Sequence, residues 1–314
     1  MYQIKFRAPL ESFNNSIGII VGILSRASGD GPSRRQSIRS TWASNRDAVF
    51  FLVGGLWDDI SKEYEEHGDL VWIDEEEAYD EEKSVLTLKT YSLLAITYAA
   101  TTKYGYHYSH IFKTDDDSYL DLDALYHELH KDDVPVGTNT HNYMGQCHVL
   151  TYPKVHRQEE FKWALSYELY PELIFPRYCQ GAGFAISRKF LECAVCQQHI
   201  ANVRFMPFED VAVGMLAERC GVDPECPTTA IVNLFRYQSK KARKRTRTGD
   251  ERTDDLVAPA ACMTNKIVQH RIIDDFDMEE YHKSVLDPSY CDVTRAKREK
   301  IVLEKEEQGV KWFG

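Results

Sequence analysis

Three consecutive acids, Asp115-Asp116-Asp117, follow the apolar run His110-Ile111-Phe112. Alternate residues of an extended segment point to opposite sides, so at most two of these carboxylates face one site and the middle one turns elsewhere. A carboxylate cluster beyond the end of a strand suits a hard divalent cation that bridges a diphosphate. Mn²⁺ and Mg²⁺ both take oxygen ligands, and an added imidazole favours Mn²⁺. The triplet alone reads equally as a solvated acidic turn. Its place between a strand and the helix-like stretch Asp121 to Lys131 favours a site.

A second acidic pair, Glu209-Asp210, stands among apolar residues in Phe205-Met206-Pro207-Phe208-Glu209-Asp210-Val211. Buried carboxylates are costly unless paired or functional, and in such a pocket one can act as a general base. The same pair also suits the first turn of a helix, where it meets the positive end of the dipole. His270 lies within Ile267 to Ile273 and by itself reads as a satisfied strand histidine before a metal ligand. Arg34, Arg35 and Arg39 sit early in a helix beside a glycine-containing loop, an arrangement suited to phosphate or to a solvated face.

The elements that must position these residues alternate between strand and helix. Strands are expected at Ser16 to Leu24, Ala48 to Val53, Asp69 to Ile73 and His110 to Phe112. Helices are expected from Ser33 as N-cap, over Asp58 to His67 with Gly68 as the stop, and over Glu82 to Tyr104. This alternation predicts βαβ units, an α/β fold and a mostly parallel central sheet flanked by helices. The second half is less regular. Val134 to Leu150 reads as strands with loops, Lys162 to Tyr170 as a short helix, Gly181 to Ser187 as a glycine turn feeding a strand, and Lys189 to His199 as a helix. The basic run Lys240 to Arg247 and the polar Thr246 to Asp255 read as a loop.

The chain has 314 residues, 49 acidic and 38 basic, with a net charge of −11. That composition is globular, and the acidity argues against a nucleic-acid partner. The longest apolar run, Gly18 to Leu24, is too short to span a bilayer, and no signal peptide is visible. Eight cysteines are compatible with disulfides. Cys193-Ala194-Val195-Cys196 has redox spacing, but the structural or free-thiol reading is preferred over a redox or zinc site. One glycosylation sequon exists, Asn14-Asn15-Ser16.

Six segments, in order, resemble the β1,3-glycosyltransferases of sugar-transferase family 31, which include β1,3-galactosyltransferases and β1,3-N-acetylglucosaminyltransferases. They are Arg34 to Trp42, Leu86 to Thr90, Phe112 to Asp117, Lys162-Trp163 through Tyr170-Pro171, Pro176 to Phe184, and Glu209 to Gly214. Where the family often has an N-glycosylated Asn-Leu-Thr before the lysine-bearing helix, this chain has Ser84-Val85-Leu86-Thr87. The resemblance implies a GT-A type fold, with residues 1–15 as a stem remnant, 16–285 as the catalytic domain and 286–314 as a tail. It implies inverting transfer of galactose from UDP-galactose, with UDP-N-acetylglucosamine as the alternative donor, to a glycan, glycoprotein or glycolipid. It implies Mn²⁺, or Mg²⁺, held by Asp117 and His270, and Asp210 as the base. Arg34, Arg39, Lys89, Asp115, Asp116, Gly181 and Gly183 would surround the UDP-sugar, the two glycines by letting backbone approach it. It also implies a Golgi-lumenal type II membrane protein whose anchor lies outside this sequence. The competing classes are a metal-dependent phosphohydrolase, which would release phosphate without making a glycoside, and a non-catalytic sugar-binding protein, which would need a broken base or metal set.

Overall fold

The computed structural model describes residues 5–9, 18–78, 84–130, 141–147, 152–158, 160–161, 163–226, 232–233, 267–272 and 275–287. The expected sequon, the basic run at 240–247 and most of the expected stem and tail lie outside the described residues.

The first half forms β1 (Phe6–Arg7), β2 (Ile19–Leu24), α1 (Gly31–Ser40), β3 (Val49–Val53), α2 (Trp57–His67), β4 (Leu70–Ile73), α3 (Val85–Tyr104) and β5 (His110–Asp115). Then come β6 (Tyr119–Leu120), α4 (Leu122–Leu129), β7 (Tyr143–Cys147), β8 (Cys179–Ser187), α5 (Arg188–Cys196), α6 (His199–Asn202) and α7 (Glu209–Arg219). Short strands β9 (Val232–Asn233) and β10 (Val268–Gln269) precede helix α8 (Asp275–Leu286). The main sheet runs β1-β4-β3-β2-β5-β8-β7. Its centre, β4-β3-β2-β5, is parallel, whereas β1, β8 and β7 each pair antiparallel with their neighbours. A smaller sheet, β6-β10-β9, lies beside it.

Strand β2 is buried along its whole length, as its Ile/Val run requires of a central parallel strand. Its side chains alternate between two cores. Ile20 and Leu24 join Leu93, Phe190 and Val213 from α3, α5 and α7. Ile19, Val21 and Ile23 join Ile38, Ile60, Leu125 and Tyr281 from α1, α2, α4 and α8. A Cβ at Gly22 would come within 2.3 Å of Leu93, so this glycine lets α3 lie against the strand. Helices on both faces of a largely parallel centre make the chain α/β.

The chain moves from β2 to β3 and β4 on one side, then returns to place β5 on the other side of β2. Such a switch opens a crevice beyond the carboxyl ends of the two strands. Ser25 and Arg26 lie at the end of β2 and Asp115 to Asp117 at the end of β5, with Leu24 and Asp115 in register.

Several elements differ from expectation. Helix α1 starts at Gly31 rather than after Ser33, with Pro32 in the first turn. Among the described residues, Lys162 to Tyr170 is not helical. Arg157 donates to the carbonyls of Leu165 and Ser166, and the Leu165 amide donates to the His156 carbonyl, so those groups are engaged across the segment. Around His270 the strand covers only Val268–Gln269, and the histidine stands just past its end. Cys193 pairs with Cys220, not with Cys196, and Cys147 pairs with Cys226.

Candidate active site

The end of β5 delivers three carboxylates in three directions. Asp115 turns to Lys113, whose Nζ donates to it at 2.7 Å. Asp116 turns to Arg34, which donates at 3.0 Å while its second nitrogen lies 2.5 Å from Asp30. Asp117 turns to His270, with Oδ1 and Nδ1 3.1 Å apart. The Asp117 carbonyl accepts from the Ile272 amide at 2.8 Å, which fixes the chain carrying His270 against the acidic turn.

Asp115, Asp117 and His270 offer ligand atoms that all lie within 4.8 Å of one another. Asp117 Oδ1 is buried and accepts no hydrogen bond of good geometry. Its one close partner is His270 Nδ1, 3.1 Å away and poorly aligned, so this buried oxygen keeps a lone pair to offer a cation. Two carboxylates and an imidazole fit Mn²⁺ or a similar ion. The pull of His270 outweighs burial and holds the Asp117 carboxyl below its usual range. Cys193, His199 and Cys220 also converge, but the disulfide engages both thiols.

The opposite wall comes from β8 and the start of α7. Lys113 is fully buried and reaches across to it, donating to Glu209 Oε1 at 2.8 Å and to the Gly181 carbonyl at 2.5 Å. Glu209 is thereby engaged. Asp210 instead accepts from the Gly181 amide at 3.2 Å and the Val211 amide at 2.8 Å, and both carboxylates line the cleft. Burial, then the charge of Glu209, pushes the Asp210 carboxyl up to about 7. Burial also raises Asp115 to about 6 against the pull of Lys113.

Asp115, Asp117, His270 and Asp210 face one cleft of about 860 Å³. Arg34, Lys89, Asp115, Asp116, Asp117, Gly181, Asp210 and His270 all line it. Two expected site residues stand elsewhere. Arg39 does not line the cleft and pairs with Glu63 and Asp69 at 2.7–2.8 Å. Gly183 is packed inside β8, where a Cβ would meet Phe112 at 3.1 Å and Val268 at 3.2 Å, so it serves packing. Gly181 is required by a protein neighbour: a Cβ there would fall 2.3 Å from Glu209 Oε1. Lys89 is buried and donates to the Ser25 carbonyl at 2.8 Å and to Glu77 at 2.7 Å, holding the end of β2 in place.

The sequence expectations did not single out Lys113 or Glu77. Lys113 carried a signal, because a lysine two residues before Asp115 on a strand shares its face. Glu77 reaches Lys89 from a loop outside all six family-like segments, and no spacing marks it.

A solved glycosyltransferase, described as involved in glycosylation of the major capsid of PBCV-1, is similar with a TM-score of 0.35 and 12% identity over 85% of this chain and all of that one. The chain is 29% identical over 228 residues to hydroxyproline O-galactosyltransferase GALT5 of Arabidopsis thaliana, covering 68% of this chain and 30% of that protein. It is 29% identical over 211 residues to beta-1,3-galactosyltransferase 2 of Mus musculus, covering 63% of this chain and 47% of that protein. It thus spans less than half the length of these two curated relatives. Residues 33–228, which run from α1 through the acidic turn to the end of α7 and beyond, match the galactosyltransferase family, and by that match over more than half its length the chain belongs to the galactosyltransferase family.

Proposed function

We propose that this chain transfers galactose from UDP-galactose, with inversion and in β1,3 linkage, to a hydroxyl of a glycan, glycoprotein or glycolipid. The observation that carries this reading is the shared cleft: Asp115, Asp117 and His270 on one side, Asp210 on the other. A bound Mn²⁺ would neutralise charge developing on the departing diphosphate. Arg34, fixed by Asp30 and Asp116, brings a positive group to the same end of the cleft. Asp210 takes the proton of the acceptor hydroxyl as that oxygen bonds to the anomeric carbon. The bond from that carbon to the UDP oxygen breaks in the same displacement, and UDP leaves with the electron pair. A single displacement turns an α-linked donor into a β-linked product and needs no covalent enzyme intermediate.

The relatives' names support galactose as the sugar and, for the mouse protein, the β1,3 linkage. Two disulfides support an oxidising compartment, and we place the protein in the Golgi lumen. No helix among the described residues is long and apolar enough to cross a membrane. The test is a donor screen with Mn²⁺, UDP-galactose and UDP-N-acetylglucosamine against simple α- and β-linked acceptors, with the product linkage determined by NMR. A β1,3-galactoside is expected. Transfer of N-acetylglucosamine alone, or UDP release without a glycoside, overturns the proposal.

A further inference from the structure

The cleft wall next to Asp210 is aromatic. Trp163 and Phe161 both line the cleft and remain 49% and 42% exposed. Trp163 meets Phe208 edge-on, with ring centroids 5.6 Å apart and planes at 86°. Phe208 is the N-cap residue of α7, two positions before Asp210. Phe161 lies against His156, centroids 3.9 Å apart, and His156 and Lys154 also line the cleft.

The segment that presents these rings is braced. Arg157 donates to the Leu165 and Ser166 carbonyls at 2.9 Å and to the Glu172 carbonyl, and stacks on Tyr167 at 4.0 Å. The Val155 amide donates to the Leu173 carbonyl at 3.0 Å, and the Phe175 amide to the Pro153 carbonyl at 2.8 Å. These backbone groups are taken by Arg157 or by one another, so the wall offers ring faces and side-chain polar groups rather than a ladder for an extended peptide.

We infer that Trp163, with Phe161 and Phe208, forms the acceptor subsite and takes a pyranose ring by stacking on its apolar C–H face. The inference rests on the transferase reading, since it needs Asp210 as the base. A ring against this wall lies in the cleft that Asp210, Lys154 and His156 also line. Aromatic faces beside a few polar groups are what a sugar requires, because its ring has apolar faces and a polar rim.

The test measures binding without turnover. The 314-residue chain carrying Asp210→Asn is loaded with UDP and Mn²⁺ and titrated with methyl β-galactoside, methyl N-acetyl-β-glucosaminide and a hydroxyproline peptide, read by saturation-transfer NMR. At least one glycoside is expected to bind through its ring protons. Adding Trp163→Ala should weaken it about tenfold, while Trp163→Phe should retain most of the affinity. UDP affinity should stay within about twofold in both, which a general loss of folding would not allow. Glycoside affinity unchanged in Trp163→Ala, or binding of the peptide alone, overturns the subsite. If the native chain makes no galactoside but glycosides still bind on Trp163, the transferase reading fails, and with it the acceptor role, while sugar stacking on Trp163 stands.

Discussion

Lys113 and Glu209, 96 residues apart, meet inside the protein with Nζ 2.8 Å from Oε1. The same nitrogen lies 2.7 Å from Asp115, so one buried cation ties the wall that carries the acidic turn to the wall that carries Asp210. Removing it leaves two carboxylates without their counter-charge. Lys113→Met should therefore cost about 3–5 kcal/mol of stability, the range for breaking a buried pair from one side. Urea unfolding measures this, and a loss under about 1 kcal/mol would show that the two walls are not held by this contact.

Gly181 tests the same junction from the backbone. A methyl group at this position meets Glu209 Oε1 at 2.3 Å and Lys113 Nζ at 3.4 Å. Glu209 is the end of a side chain, but Lys113 holds it. Gly181→Ala should displace the pair, and with it Asp210, which hangs from the Gly181 amide. A fall of at least tenfold in kcat is expected, with UDP affinity little changed. Wild-type kcat in this variant would mean that the Asp210 side chain is positioned independently of β8.

Much of this site was legible because its parts are local. The apolar run ending in Asp115 to Asp117 announces a strand that delivers acids to the sheet's switch point, but the strand ends at Asp115, and the turn at Asp116 and Asp117, which alternation does not describe, sends the three carboxylates separately to Lys113, Arg34 and His270. Helical geometry also separates Arg34 from Arg39: five residues at about 100° each leave them about 140° apart on α1. Arg35 and Arg39, four apart, share a face, and both pair with Glu63. What spacing cannot give is the partner from a distant element. Lys113 engages Glu209 and leaves Asp210 on backbone amides, and Glu77 anchors Lys89.

The two arginines should accordingly part in their effects. Arg34→Ala removes a cation from the cleft and should raise the KM for the UDP-sugar about tenfold. Arg39→Ala should leave that KM unchanged and cost about 1.5–3 kcal/mol through its lost bonds to Asp69 and Glu63. A KM effect at Arg39 would contradict its placement on the far face of α1.

Asp117 carries the metal expectation. Its buried Oδ1 accepts no well-formed hydrogen bond, and the nearest ring nitrogen, His270 Nδ1, is 3.1 Å away. Asp117→Ala should abolish transfer and the Mn²⁺ signal change seen by electron paramagnetic resonance. Mn²⁺ at a hundred times its Kd should stabilise the native chain by about 2.7 kcal/mol and the variant not at all. Full activity after exhaustive chelation would overturn the assignment.

Asp210 couples activity and stability with opposite signs. Burial and the neighbouring Glu209 raise its carboxyl to about 7, against an unfolded value of about 3.9. As the base it works only when ionised, so kcat/KM should climb with pH through about 7 and then level off. Asp210→Asn should lower kcat by about 10²–10⁴-fold and remove that rise. Stability runs the other way. Between about pH 4 and 7 the folded chain holds this proton and the unfolded chain has lost it, so the native state weakens as pH rises across that window. Asparagine has no proton to lose, and its amide oxygen can still accept from the Val211 or Gly181 amide. The variant and the native chain should therefore be similarly stable near pH 4, and the variant should become the more stable by pH 8. Urea unfolding of metal-free protein at pH 4, 6 and 8 separates the cases. A native chain that gains on the variant with rising pH would mean that Asp210 is ionised well below neutrality, and that its place beside the acceptor does not rest on a raised pKa.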